Sequence, residues 1–173
     1  MNQNIKDEIR DSVRCFRLPR YEELPDVGLY LEQVTKYISD YLAPLEDIVI
    51  TGSMISNYVK KGLIDNPVRK QYSREQIAYL IFIAVSKTVL SMDDIALLIE
   101  LKKKVYTSPR AYNYFCNELE NVLFYVFGLK STLDTVGIDA TDEKAMLRNT
   151  IITVAHKVYL DKYFSRLASE KKV

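Results

Sequence analysis

Glycine and proline are scarce in this chain, five of each in 173 residues. Most sit between long periodic segments instead of at the short regular intervals that β-hairpins need, which argues against a sandwich or barrel and predicts an all-α fold. The two cysteines, Cys15 and Cys116, fit neither a metal-ligand nor a thioredoxin-like spacing. No secretory signal precedes them, so reduced thiols and a cytoplasmic location are expected. His156 is the only histidine. It lies on a periodic segment between Ile152 and Leu160 and has no evident partner, the mark of a packed or partly exposed side chain rather than a ligand or base. A glycine-rich phosphate loop, a nucleophile elbow and a Cys/His metal pattern are all missing. These absences lead to the expectation of a protein that is not an enzyme and takes no metal or cofactor. The most apolar run, Ile77 to Val85, is well short of the roughly 20 residues of a membrane span. Net charge is only +1, so any affinity for nucleic acid must come from a local basic patch.

What is present is helical periodicity with clear punctuation. The first dozen residues are polar and are expected to fray. Pro19 and Pro25 bracket an extended arm, Phe16-Arg17-Leu18-Pro19-Arg20, whose Phe16 and Leu18 should pin it to a core while the arginines meet surface acids such as Glu22 or Glu23. A helix is expected after Pro25, with Val27, Tyr30, Leu31, Val34, Ile38 and Tyr41 on one face, ending near Pro44. Ser53 offers an N-cap for a short helix that Gly62 stops. Residues 65–72 form a loop around Pro67, and Ser73-Arg74-Glu75-Gln76 reads as a capping box opening the most apolar helix. Ser91 opens another, and Lys102-Lys103-Lys104 closes it, where cations suit the helix dipole. Beyond Pro109 two long stripes follow, Tyr112 to Val126 and Leu147 to Tyr159, with Gly128 and Gly137 between them, a helical hairpin with a long connection. The acids Asp93-Asp94 and Asp139 with Asp142-Glu143 sit at helix starts, where capping explains them.

Chemistry concentrates between Ile50 and Ile77. The order there is a turn, a short capped helix, a Gly62-Leu63 exit, a basic loop and a capped apolar helix. Met54, Ile55, Tyr58 and Val59 can anchor the short helix, leaving Ser53, Ser56, Asn57, Lys60 and Lys61 on its outer face. From Asn57 to Arg74 there are five basic residues (Lys60, Lys61, Arg69, Lys70 and Arg74) against the single acid Asp65, so this stretch carries +4 in a chain whose total is +1. Such a design suits a helix that enters a DNA major groove, with cations drawn to phosphates.

From Ile50 to about Leu101 these residues resemble the DNA-binding domain of MerR-type transcriptional regulators. In that family a recognition helix ending in Gly-Leu leads to a short wing and a Tyr-Ser-capped helix, and Leu90-Ser91-Met92-Asp93-Asp94-Ile95 is similar to its turn into the fourth helix. The arm at Phe16 to Arg20 and the Ser73 box also resemble a bacterial family filed as domain of unknown function 1836. The resemblance implies an all-α fold: an N-terminal extended segment (1–23), a MerR-like winged helix-turn-helix (24–106) and a C-terminal helical hairpin (107–173) that dimerises or senses a signal. It implies sequence-specific binding of double-stranded DNA in transcriptional control, through Ser53, Ser56, Asn57, Lys60, Lys61, Arg69, Lys70 and Arg74. The alternative is a protein-interaction module that uses the same scaffold without DNA. The chain departs from the MerR pattern at Ser56 and Asn57, where the family carries Arg and Tyr, and at Arg69 and Lys70, where it carries Tyr and Arg. Thr107-Ser108-Pro109 interrupts the place of the family's dimerisation helix. A homodimer is expected instead through surplus aromatics: Phe124, Tyr125 and Phe127 on one C-terminal helix, and Tyr159, Tyr163 and Phe164 on the other.

Overall fold

A computed structural model describes residues 3–136 and 141–170, and it is mostly helical. Gly137 and Asp139, assigned above to the connection before the last helix, lie outside the described residues. The elements run α1 (Gln3–Ser12), β1 (Leu29–Tyr30), α2 (Leu31–Leu42), α3 (Gly52–Lys60), β2 (Gln71–Tyr72), α4 (Arg74–Ser86), α5 (Met92–Val105), α6 (Ser108–Val126) and α7 (Asp142–Glu170). Among the described residues no helix is long and apolar enough to cross a membrane.

Helix α4 is the hub. Its Ile77, Leu80, Ile81, Ile83, Ala84 and Val85 are all buried, so it is enclosed on nearly every side, as its unbroken apolar run requires. It packs on α2, α6 and α7. The most extensive helix pairing is α6 with α7, through Phe115, Leu119, Val122 and Leu123 on one side and Ile151, Val154 and Val158 on the other. Buried side chains from Ile5 to Val158 form one hydrophobic cluster, so the segments 1–23, 24–106 and 107–173 share a core.

Two local expectations need correction. The polar N-terminal stretch does not fray: α1 buries Ile5 and Ile9, and Val13 just beyond it, against α7. Three apolar residues at four-residue spacing make a narrow stripe, and burying each contributes about 1.5–3 kcal/mol before entropy is counted. Helix α2 begins four residues later than Val27, because Leu29 and Tyr30 pair antiparallel with Tyr72 and Gln71. Val27 is consequently 68% exposed. The strand is held close to its partner by Gly28, where a Cβ would stand 2.7 Å from that of Gln71.

The arm of residues 16–20 is pinned as its apolar residues suggest, with Phe16 and Leu18 buried. Arg17 pairs with Glu23 at 2.8 Å. Arg20 instead reaches α6, where both its terminal nitrogens donate to Glu120 at 2.7 Å. Most of the surplus aromatics are consumed within the chain. Phe127 is buried edge-on against Tyr159 at 5.3 Å, and Tyr159 stacks on Tyr163 at 6.3 Å. Tyr125 and Phe164 remain exposed, at 43% and 59%. His156 is exposed and Cys116 buried, its thiol pushed up to about 12 by desolvation.

Candidate nucleic-acid interface

Helix α3 is capped by Thr51, whose hydroxyl accepts the Met54 N–H at 3.2 Å. Ser53 was expected to cap but lies inside the first turn, 3.0 Å from the Thr51 hydroxyl. The cap moves upstream because Gly52 is itself helical, and both residue types satisfy an N-cap. Helix α3 ends at Gly62, with φ of 73°, where the Gly62 N–H donates to Val59 O at 2.9 Å and that of Leu63 to Tyr58 O at 3.0 Å. This pair of bonds is the Schellman closure, which favours glycine at the left-handed position. Ile55 and Tyr58 are buried, and Met54 and Val59 lean on the same core. The anchor is therefore the four residues expected.

The opposite face of α3 and its exit carry Ser53, Ser56, Asn57, Lys60 and Lys61, all exposed. Ser56 Oγ donates to the Gly52 carbonyl at 2.9 Å, so its lone pairs face outward while its proton is engaged. Asn57 keeps its side-chain amide out of any hydrogen bond among the described residues, leaving both donor and acceptor for a ligand.

The basic loop is a hairpin. Val68 bridges Gln71, whose N–H donates to Val68 O at 2.9 Å, and the two residues between them are Arg69 and Lys70. Both have positive φ, 51° and 65°. Two successive left-handed residues are what a type I′ connection requires, and Asn-Gly or Gly-Gly ordinarily supplies them. Here two long cationic side chains do so, and both are exposed.

Behind the hairpin, Ser73 and Gln76 form the expected capping box: the Ser73 N–H donates to Gln76 Oε1 at 2.8 Å and the Gln76 N–H to Ser73 Oγ at 3.3 Å. Gln76 also donates to the Asp65 carbonyl at 2.8 Å, tying the loop's entry to the start of α4. Arg74 faces inward. Its Nε donates to Leu24 O at 3.0 Å and its guanidinium lies 5.9 Å from the centre of the Tyr21 ring, so it braces the extended segment.

Lys60, Lys61, Arg69 and Lys70 make no ion pair or side-chain hydrogen bond among the described residues. Seven of the eight candidate residues are thus exposed, five on α3 and its exit and two at the hairpin tip, and the eighth, Arg74, goes to the scaffold. Sequence reasoning missed Lys87, whose ammonium donates to Val49 O at 2.8 Å and holds the turn before α3. Burial lowers its pKa. A lysine just after an apolar helix gives no signal of a contact 38 positions away. Among the described residues no group of three or more His, Cys, Asp or Glu is placed to hold a metal.

A family model described as Domain of unknown function (DUF1836) matches residues 19–115, from the arm to the middle of α6. No curated protein and no solved structure matches the chain.

Proposed function

We propose, for a chain that belongs to the Domain of unknown function (DUF1836) family, that it binds double-stranded DNA sequence-specifically as a bacterial transcriptional regulator. One observation carries the reading: beside an exposed helix face of Ser53, Ser56 and Asn57 the chain offers four exposed cations that meet no carboxylate among the described residues, Lys60 and Lys61 at the end of α3 and Arg69 and Lys70 at the hairpin tip. The succession β1, α2, α3, hairpin and α4 supports a MerR-like winged helix-turn-helix, with α3 in the major groove and the hairpin as the wing on the backbone. Lys60, Lys61, Arg69 and Lys70 then meet phosphates, which position the domain. Asn57 is suited to the N6 and N7 edge of adenine, and the serine hydroxyls to either kind of base-edge group. Arg74 contributes by bracing the extended segment at Tyr21 and Leu24.

One such module reads a short site, so the protein acts as a homodimer on two half-sites. Leu160 and Phe164, one turn apart on α7 and 48% and 59% exposed, together with Tyr125 on α6, supply the apolar face for it. In sedimentation equilibrium the full chain should be dimeric and Phe164→Glu monomeric. A monomeric wild-type chain at high micromolar concentration removes the dimer from the proposal.

DNA binding is tested by fluorescence anisotropy with labelled genomic fragments across ionic strength. Four phosphate contacts predict a slope of log affinity on log salt of about −3.6 per protomer. Lys60→Glu with Lys70→Glu should flatten that slope by about 2. If no duplex binds at low salt, or if the double variant binds as tightly as wild type, the DNA reading is wrong and the protein-interaction module takes its place.

A further inference from the structure

A cavity of about 100 Å³ lies between α4, α5, α6 and the start of α7, and none of the residues of α3 or the hairpin lines it. Its walls are apolar: Ala78, Phe82, Leu98, Ala111, Phe115 and Leu147. Phe82 and Phe115 meet edge to face, their ring centres 5.4 Å apart. The volume is of the same order as the cavity of about 150 Å³ that admits benzene in an engineered protein core. Walls of this kind give a water too few partners to hold it, whereas an apolar guest leaves water and gains dispersion contacts on every side. A planar guest gains more, because aromatic walls can meet it in the edge-to-face arrangement they already use with each other.

The polar groups at the rim decide what charge the guest can carry. Lys102 Nζ donates to Tyr79 Oη at 2.9 Å and to Ser108 Oγ at 3.3 Å, and Ser108 in turn donates to the Glu75 carboxylate. The ammonium thus reaches a carboxylate of its own chain through one hydroxyl. It also stands 4.7 Å from the centre of the Tyr79 ring, while Arg110 lies over the Tyr106 ring at 5.2 Å and Lys144 over that of Tyr114 at 5.0 Å. The rings that would attract a cationic guest are already engaged by the chain's own cations. Glu143, the one acid of the lining, sits in the first turn of α7, where the helix dipole suits it. An anion would compete with Glu75 for Lys102, and a cation with three side chains for their rings. An uncharged guest disturbs neither.

We propose that this cavity binds a single uncharged aromatic ring of about the size of benzene, walled by Phe82, Phe115 and Leu147. The proposal stands apart from the DNA reading, since it uses none of the residues of α3 or the hairpin, and the failure of either leaves the other untouched.

Fluorobenzene, 4-fluorobenzoate and 4-fluorobenzylammonium are titrated at neutral pH with the full chain and followed by fluorine NMR. Wild type should shift the fluorobenzene signal saturably, and benzene should displace it. Each charged counterpart should bind at least about tenfold more weakly, because a charge taken into an apolar chamber sheds its water without repayment. Ala111→Leu, which puts a larger side chain into the chamber, should weaken fluorobenzene by at least about tenfold, with circular dichroism to confirm that the variant is folded. Nuclear Overhauser contacts from the protons of bound benzene to the Ala111 and Leu147 methyl groups locate the ring, and they decide alone if Ala111→Leu does not fold. A fluorobenzene signal that does not saturate, a charged counterpart that binds as tightly, full affinity in folded Ala111→Leu, or contacts only to methyl groups outside this lining overturns the proposal.

Discussion

Where α1 meets α7, Arg166 donates to Glu8 at 2.9 Å and, with two nitrogens, to Glu46 at 2.7 Å, and the buried Lys162 adds a third bond to Glu46 at 2.7 Å and one to Ser12 at 3.0 Å. Along α3 and the hairpin, Lys60, Lys61, Arg69 and Lys70 stand exposed with no such partners among the described residues. The two regions also share a backbone feature. Glu46, like Arg69 and Lys70, is a non-glycine residue with positive φ, 58°. Positive φ at an L-residue costs about 1–3 kcal/mol; at Glu46 it belongs to a tight turn with ψ of −75°, closed by the Asp47 N–H to Leu45 O at 2.8 Å. At Glu46 the cost is offset within the chain, because this turn aims the carboxylate at two cations. At the hairpin tip the two side chains offset nothing among the described residues, and the turn is closed by the Gln71 N–H bond to Val68 O at 2.9 Å alone.

The strongest way to break the comparison is at the seam. Glu46→Ala strands the Lys162 ammonium, 1% exposed, without its counter-ion, and the expected loss is about 3–5 kcal/mol in urea unfolding. Glu46→Leu with Lys162→Met should recover part of it, since no buried ammonium is then left without a counter-ion. A Glu46→Ala protein as stable as wild type would mean that this cluster does not stabilise the packing of α7 on the turn after α2.

A pH series reads the same contact without mutation. Hydrogen bonds from Arg166 and Lys162 hold the Glu46 carboxyl down from 4.5 to about 2. Burial pulls Lys162 the other way, lowering its pKa, while Glu46 raises it. For Glu46, a depressed folded value means that stability is fully present above about 4.5 and is lost as pH falls toward about 2. Urea midpoints should drop through that window in wild type and flatten in Glu46→Gln.

Effects of opposite sign sharpen the contrast at the hairpin. Arg69→Asn with Lys70→Gly supplies a residue pair that type I′ turns favour and should raise stability by about 1 kcal/mol, seen as a higher Tm, while weakening DNA in the anisotropy assay. A loss of stability would show that the long side chains are needed by the fold itself. The smallest effect is expected for Lys60→Glu and Lys61→Glu, each within about 0.5 kcal/mol of wild type in urea, because neither side chain contacts anything that its removal would orphan.

Local chemistry made much of this architecture legible in the sequence. The Ser73 to Gln76 box, the stop at Gly62, the start at Ser91 and the all-round burial of α4 follow from capping groups and periodicity that act within one turn, and so did the anchor and outer face of α3. What stayed hidden depends on partners far along the chain. The stripe of α1 is too narrow to signal a helix until α7 covers it, and Glu46 finds Lys162 across 116 positions. Tyr30 looked like part of a helical face because a two-residue strand leaves almost no period. The inward turn of Arg74 depends on Leu24, 50 positions away. The left-handed pair at Arg69 and Lys70 was unreadable for another reason: it uses residues that avoid that conformation.

The pairing of α1 with α7 also has a meaning in time. Ser12 and Lys162 are 150 positions apart, and at about 5–20 residues per second of synthesis the lysine emerges on the order of ten seconds after the serine. Through that interval Ile5, Ile9 and Val13 have no surface to cover them. The part of the core that α1 builds against α7 is therefore completed only once α7 has been made. Chains that stop short of α7 keep that apolar stripe on view, where chaperones and proteases can tell them from finished molecules.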